Sequence, residues 1–532
     1  MGKKEVLNFC VEKEILLDKS LLDLFGDSND FESIKILINH LKNFTRKKII
    51  TKEAFEQSKS NQEINELVFK IGLNLEVCAK THSLQSVLNE EKETNSKESD
   101  IIKVLTPKIC NGKKFEVKDF VNYFRNRFNE MKSFLQENKN LNNLISINKI
   151  NDSKQNFSII GIIYNKKITK NKNIILEVED LTGRVKLLVN SSKKEAYEKA
   201  ENLSLDSIFG FKCSGNKEIL FVNEIIFPEI AVPVRKKSLV EEYALFLGDL
   251  HYGSKKFLKN DFLKFIDYLN GKFQNTPEVE KIKYLFLVGD LVTGVGNYPE
   301  QEKDLEIMDL EQQFCELANI LSKIPKRIKI IISPGNHDGV RLMEPQPSLD
   351  EKYAWALYEL ENVVMVGNPC LINIASNEFF EGFDVLLYHG FSYPYYANSV
   401  PQLMQIKSMN FPEKIIEYLL KQRHLAPTHS SVQYYPCEKD VHLINKIPDF
   451  FISAHTHKSS VKIYNNIFLI STSSWESFTP YQEKFGNTPD HCKIPMINLK
   501  THEVKILDFE NYNSKAENSK SPQIEIKQEI EK

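Results

Sequence analysis

The 532-residue chain carries 70 lysines and arginines against 72 acidic residues, a formal net charge of −2, with 41% hydrophobic and 27% charged residues. That composition fits an ordinary globular chain long enough for about three domains, and it excludes a collagenous, low-complexity or small disulfide-stapled protein. It also excludes a uniformly basic groove, so a nucleic-acid substrate would need local patches, bound metal or a partner chain to neutralise its phosphates.

The eight cysteines (Cys10, Cys78, Cys110, Cys213, Cys315, Cys370, Cys437 and Cys492) are scattered without a C-x-x-C pair. Free thiols are expected, not a thiolate zinc site or a disulfide framework. The start, Met-Gly-Lys-Lys-Glu-Val, has no apolar core of a signal segment, and no run of 18 apolar residues occurs. The expectation is a cytoplasmic protein with no membrane span.

In chain order, Leu21, Leu22, Phe25, Ile34, Ile36, Leu37 and Leu41 recur at helical spacing and predict a small helical domain over 1–77. Residues 78–100 turn Ser-, Asn-, Glu- and Lys-rich. Too little apolar surface is available there to offset ordering entropy, which predicts a flexible linker. Helical period returns through Phe120, Tyr123, Phe124, Phe128, Met131, Phe134 and Leu135, a helical connecting segment within 101–150. Over 151–236 the period switches to strands at 157–164, 174–178, 185–189, 219–222 and 224–226, with a helix at 193–201. That order matches a five-stranded OB barrel, and its mainly Ile, Leu and Val faces suit packing or protein docking better than base stacking. Residues 511–532 read as a disordered tail.

From 237 to 510, short apolar runs end repeatedly in small residues followed by metal-ligand side chains. Leu245-Phe-Leu-Gly leads to Asp249 and His251, and Tyr284-Leu-Phe-Leu-Val-Gly leads to Asp290. Ile328 to Ile332 leads to Asn336, His337 and Asp338, Val385-Leu-Leu-Tyr leads to His389, and Phe450-Phe-Ile-Ser-Ala leads to His455 and His457. In sheet enzymes the ligand crevice lies outside the carboxyl ends of the strands, so five such ends can converge. Asp249 and His251, two residues apart, would share one side of an extended stretch. Imidazole, carboxylate and amide donors suit two divalent cations about 3.5 to 4 Å apart. Manganese is expected first, with iron, zinc or magnesium as alternatives.

The order Asp-x-His, Gly-Asp, Gly-Asn-His-Asp, His-Gly, His-x-His resembles the calcineurin-like metallophosphoesterases. The resemblance implies an α+β fold, a two-sheet sandwich flanked by helices, here preceded by the OB barrel and the small helical domain. It implies that Asp249, His251, Asp290 and His457 hold one cation, that Asp290, Asn336, His389 and His455 hold the other, and that His337 is the general acid. Further stretches are similar to the small subunits of archaeal family D DNA polymerases: Asp119-Phe-Val-Asn-Tyr-Phe-Arg-Asn-Arg127, Glu177-Val-Glu-Asp-Leu-Thr-Gly-Arg184, Gly289-Asp-Leu-Val-Thr-Gly-Val-Gly-Asn-Tyr-Pro299, Arg423-His-Leu-Ala-Pro427 and Ile447-Pro-Asp-Phe-Phe-Ile-Ser-Ala-His-Thr-His457. This resemblance implies a 3′-to-5′ exonuclease acting on the 3′ ends of DNA beside a separate large catalytic subunit, in a heterodimer or higher assembly. A sliding clamp would be reached through that complex, because the tail lacks the aromatic pair of a clamp-binding peptide. A catalytically weak scaffold for the large subunit and a free-standing phosphodiesterase are the alternatives.

Arg423, His424 and Arg341 are candidate substrate contacts. Two positions depart from the superfamily pattern. Thr293 stands where a second aspartate usually orients the catalytic histidine, so either its hydroxyl or Asp338 would have to take that part, and Ala454 replaces the usual glycine before His455.

Overall fold

The structure is a computed structural model. It describes residues 102–107, 109, 114–152, 155–229, 232, 234–479, 486, 488–510 and 523–525, with scattered positions between 6 and 50. The chain divides into two compact units, Met1–Lys97 and Glu98–Lys532. In the first, residues 34–38 are helical, and Leu21, Phe25, Leu37 and Leu41 are buried while Ile36 is exposed. Leu16–Leu17 and Ile49–Ile50 pair there as short parallel strands, which the helical reading of this stretch did not include. The expected linker at 78–100 and all of the expected tail except 523–525 lie outside the described residues.

The second unit begins with helix α1 (Val117–Gln136), whose inward face carries Tyr123, Phe128, Met131 and Leu135 at i, i+5, i+8 and i+12. A reciprocal pair between Glu116 and Asp119 caps its start. A closed barrel follows, built from β1 (Gln155–Ile168), β2 (Ile174–Asp180), β3 (Gly183–Val189), β4 (Ile208–Gly215) and β5 (Leu220–Ile226) in the order β1-β2-β3-β5-β4. Helix α2 (Lys194–Glu201) lies between β3 and β4. The five strands and inserted helix have the OB pattern, with one correction to the sequence reading. Residues 208–215 form a full strand, and what read as two strands at 219–222 and 224–226 is one. Gly210 and Gly215 obscured β4. At Gly210 a Cβ would come within 2.8 Å of Leu141, so a close-packed neighbour, not a turn, accounts for that glycine.

Residues 243–508 form two sheets packed face to face. The first contains β6 (Tyr243–Leu247), β7 (Ile282–Val288), β8 (Lys329–Ser333) and β9 (Val363–Met365), all parallel, and it continues past β6 into antiparallel β15 (Lys493–Asn498), β16 (Val504–Asp508) and β17 (Gln523–Glu525). The second has the order β13 (Ser460–Tyr464), β14 (Ile467–Ser471), β12 (Phe450–Ser453), β11 (Phe383–Leu387), β10 (Cys370–Ile374), with the two-residue strand Lys103–Val104 at its edge.

Every residue of β6 is buried, and alternate residues serve different cores. Ala244 and Phe246 face the second sheet, where Phe286, Val385 and Phe450 meet them. Tyr243, Leu245 and Leu247 face α3 (Lys259–Leu269) and α4 (Leu310–Leu321). Beyond the second sheet, Leu386, Phe451 and Leu469 pack on α5 (Tyr393–Ser399) and α6 (Pro412–Gln422). A strand buried on both faces reads as a continuous apolar run, which is why these runs stand out in the sequence. Among the described residues no helix is long and apolar enough to cross a membrane.

Phe246 stacks between Phe286 and Phe450, with ring centroids 5.3 and 6.3 Å away, and so joins the two sheets. Phe246→Ala is expected to remove about 3–5 kcal/mol of stability. Guanidinium unfolding of the full chain checks this by a lowered midpoint.

Candidate metal centre

The parallel strands β6, β7 and β8 of one sheet and β11 and β12 of the other end on the same side, and each delivers its ligand-type residues within a few positions of its exit. The backbone hydrogen bonds of the sheet run on into the loops. Asp249 N–H donates to Gly289 O at 3.0 Å and His251 N–H to Asp290 O at 2.9 Å, which locks the first two loops side by side.

Asp249, His251, Asp290, His455 and His457 all have left-handed backbone, with φ between 50° and 66°. Such conformations cost of order 1–3 kcal/mol each in a non-glycine residue and persist only where the surroundings impose them. Asp249 and His251 therefore meet through a strained turn, and not, as expected, through the alternation of an extended strand. Two glycines make the crowding feasible. A Cβ on Gly289 (φ 79°) would stand 2.2 Å from His389 Nδ1, and one on Gly335 would stand 2.3 Å from Asp290 Oδ1.

Three sets of side chains bring their ligand atoms within 4.8 Å of one another: Asp249, His251 and His457; Asp290, His389 and His455; and His251, Asp290 and His337. His251 Nε2 and His457 Nε2 face each other at 3.2 Å, with Asp249 Oδ1 3.7 Å from His457 Nε2 and Asp290 Oδ2 4.0 Å from His251 Nε2. On the other side His389 Nε2 lies 3.1 Å from Asn336 Oδ1 and 3.3 Å from Asp290 Oδ2. Its Nδ1–H donates to Val288 O at 3.2 Å, which leaves Nε2 turned inward. The amides of His455 and His337 donate to the carboxylates of Asp249 and Asp290 at 2.9 and 2.8 Å.

The residues present fit a pair of divalent cations. Imidazole nitrogens that face one another beside buried carboxylates can share a cation, and the mixture of imidazole, carboxylate and amide oxygen suits borderline transition metals. Burial lowers the pKa of His251 and His457 and favours the neutral, lone-pair-bearing rings. Burial and the nearby Asp290 charge raise Asp249. Burial opposes ionisation of Asp290 too, but the adjacent His389 and His337 outweigh it and hold this carboxyl low.

His337 stands at the mouth of the cradle, its ring edge-on to His251 with centroids 4.9 Å apart. Neither of the two partners expected for it is used. The Thr293 hydroxyl donates instead to His251 O at 2.9 Å. Asp338 accepts from the Val292 and Gly335 amides and so shapes the Gly335–His337 turn without reaching the ring. His337 Nδ1–H donates to the backbone carbonyl of Thr293 at 2.9 Å, and Asn297 Nδ2 donates to that same oxygen and lies 3.2 Å from Nδ1. Gln301 Nε2 adds a third donor to it at 3.1 Å. Sequence reasoning missed Asn297 and Gln301, although Asn297 lies within the family-like 289–299 stretch. Ala454 is not among the positive-φ residues, so its methyl group is accommodated.

The cradle opens into a cleft of about 1010 Å³. One wall, with Phe391, Pro394, Tyr395, Met404 and Met409, is apolar, and Lys256 and Lys407 also line the cleft. None of the three candidate substrate contacts is among its lining residues. Arg423 caps α6 with left-handed backbone, donates to Ile444 O and Asn445 O, and lies 3.7 Å over the Phe134 ring. His424 is buried and its Nε2 lies 3.0 Å from Asp440 Oδ2. Arg341 donates to Pro345 O and stacks on Tyr435 at 3.4 Å. Their sequence proximity to ligand motifs reflects packing around the site.

Two facing mixed sheets flanked by helices, with acids and histidines at the strand exits, define a calcineurin-like phosphoesterase fold carried behind an OB barrel. Residues 244–462 match the family model for the B subunits of DNA polymerases alpha and epsilon. The DNA polymerase II small subunit of Pyrococcus furiosus is 35% identical over 425 residues, 77% of this chain and 67% of that protein. That of Methanocaldococcus jannaschii is 34% identical over 460 residues, 84% of this chain and 73% of that protein. Among solved structures, an archaeal phosphodiesterase covers 50% of this chain and 98% of its own at 12% identity and a TM-score of 0.27, too distant to bear on the reaction. The chain belongs to the family of archaeal DNA polymerase II small subunits, the small subunits of family D DNA polymerases.

Burial, and then the nearby Arg127 charge, push the His424 ring from 6.5 down to about 3. Between those values the unfolded chain binds a proton here that the folded chain does not, so this residue makes stability fall as pH drops from about 6.5 towards 3. His424→Gln is expected to flatten that slope in denaturation curves taken across the window, whereas parallel curves would show that the buried ring does not titrate as described.

Proposed function

We propose that this chain is the 3′-to-5′ exonuclease subunit of a heteromeric replicative DNA polymerase and hydrolyses phosphodiester bonds at DNA 3′ ends with two divalent cations, manganese foremost. The observation that carries this reading is the convergence of seven ligand-type residues with His337 at the floor of an open cleft, in a member of a DNA polymerase small-subunit family.

Asp249, His251, Asp290 and His457 would hold one cation, and Asp290, Asn336, His389 and His455 the other. When bound, the pair would polarise the phosphate and activate the attacking water. His337, its Nδ1–H committed to the Thr293 carbonyl, presents Nε2 to the cleft. From there it can contact a phosphate oxygen and protonate the departing 3′ oxygen of the penultimate nucleotide. The carbonyl accepts the Nδ1–H hydrogen bond and so fixes the orientation of the ring, the part that a carboxylate plays in the usual pattern. The partner is a separate large catalytic subunit. With a net charge of −2 on this chain, that partner would supply much of the positive surface along the DNA. The sliding clamp is engaged through the complex.

Purified chain incubated with Mn²⁺ and an end-labelled primer bearing a 3′ mismatch should shorten the primer. His337→Ala should retain Mn²⁺ and cut about 10²–10⁴-fold more slowly. Shortening by neither protein would favour a scaffolding subunit over the enzymatic reading, and equal shortening by both would remove His337 from the role of acid.

A further inference from the structure

Two of the family-like stretches, Asp119–Arg127 and Arg423–Pro427, contribute no residue to the metal cradle, yet they meet in the interior. Tyr123 and Arg127 on α1 both reach the buried Asp440. The Tyr123 hydroxyl donates to Oδ1 at 2.7 Å and Arg127 Nε to Oδ2 at 2.5 Å, with the guanidinium 4.7 Å from the Tyr434 ring centroid. Asp440 Oδ1 lies 3.5 Å from Nδ1 of His442, whose Nε2–H donates to Glu344 Oε2 at 2.9 Å. The same Glu344 oxygen accepts the Tyr388 hydroxyl at 3.2 Å. Tyr388 immediately precedes the ligand-type residue His389.

A second branch reaches the same turn. Arg127 Nη1 donates to Pro427 O at 2.8 Å, and the Ser392 hydroxyl donates to Leu425 O at 2.9 Å. The Ser392 amide also donates to the Tyr388 hydroxyl at 3.3 Å. The 388–392 turn is thus held at both ends by groups that lead back to α1.

We infer that the buried Arg127–Asp440–His442–Glu344–Tyr388 relay is a positioning device for His389, through which the connecting helix α1 sets the affinity of the second cation. The inference rests on the two-cation reading above. A purely stabilising role fits poorly. Buried ionic groups are often no better for stability than apolar residues of the same shape. This cluster is also incompletely satisfied, since Arg127 Nη2, His442 Nδ1 and Glu344 Oε1 are buried without a hydrogen-bond partner among the described residues, and Asp440 holds His442 through the His442 backbone amide, which donates to Oδ1 at 3.0 Å. Burial opposes a proton on His442, but the hydrogen bonds and charges of Asp440 and Glu344 outweigh it and raise the ring, while burial and the Arg127 charge hold His424 low. Such a network fixes one arrangement of the elements that it joins. The element at its end is the turn that aims the His389 imidazole, and groups that orient metal ligands typically change metal affinity 10–100-fold when removed.

The test titrates Mn²⁺ into the metal-free full chain, follows the free-ion electron paramagnetic resonance signal, and records circular dichroism and thermal midpoint on the same samples. Tyr388→Phe keeps the packed ring and removes only the hydroxyl, and Asp440→Asn probes the far end of the relay. The expected result is two cations bound by the wild type. In Tyr388→Phe the site built on Asp249, His251 and His457 should be unchanged and the other weakened about 10–100-fold, with the lost exonuclease rate recovered at raised Mn²⁺. Asp440→Asn should act in the same direction where it folds. Unchanged affinities at both sites in a chain that binds two cations, with or without a lower midpoint, would overturn the relay and leave the cation reading standing. A wild type that binds no Mn²⁺ would overturn both.

Discussion

Everything at the strand exits is arranged around the problem of burying Asp290 and Asp249 beside four imidazoles at the base of the cleft. Asp290 is 2% exposed and Asp249 is fully buried. A buried carboxylate without a cationic partner is strongly disfavoured, and so is a buried imidazolium without an anion. The fold answers with backbone amides aimed at the carboxylates, a carbonyl fixing the His389 tautomer, and a geometry that leaves the remaining lone pairs pointing at one another. Such an arrangement is costly, and the cations of the proposed function would relieve that cost. The five left-handed residues among these side chains add to it.

The two sheets impose the rest. Parallel strands must be covered on both faces, so their ends are the one place where polar side chains can gather without disrupting a core. That is why Asp249, Asp290, Asn336, His389 and His455 were legible in the sequence: each follows a run such as Leu245-Phe-Leu or Val385-Leu-Leu whose period and flanking small residues announce a buried strand and its exit. The barrel was legible for the same reason, except at β4, where Gly210 and Gly215 masked the alternation.

What stayed hidden depends on contacts between distant residues. The Thr293 carbonyl that receives the His337 proton, and the Asn297 and Gln301 side chains that support it, belong to a turn whose shape no periodicity encodes. Arg423 and His424 lie near ligand motifs in sequence but are committed elsewhere, one to the carbonyls of 444 and 445, the other to Asp440. Arg127 and Asp440 are 313 residues apart, and only folding reveals that the connecting helix and the segment before β12 share one buried charge cluster. In each case the residue type was visible and its partner was not.

The central claim is that Asp290 lies between two cations, and the most direct measurement is anomalous diffraction at the manganese edge from crystals of the full chain equilibrated with Mn²⁺. The account predicts two anomalous peaks about 3.5 to 4 Å apart. One should lie among Asp249, His251 and His457, the other among Asn336, His389 and His455, with the Asp290 carboxylate between them. A single peak away from Asp290, or a cradle without manganese at saturating concentration, would contradict it.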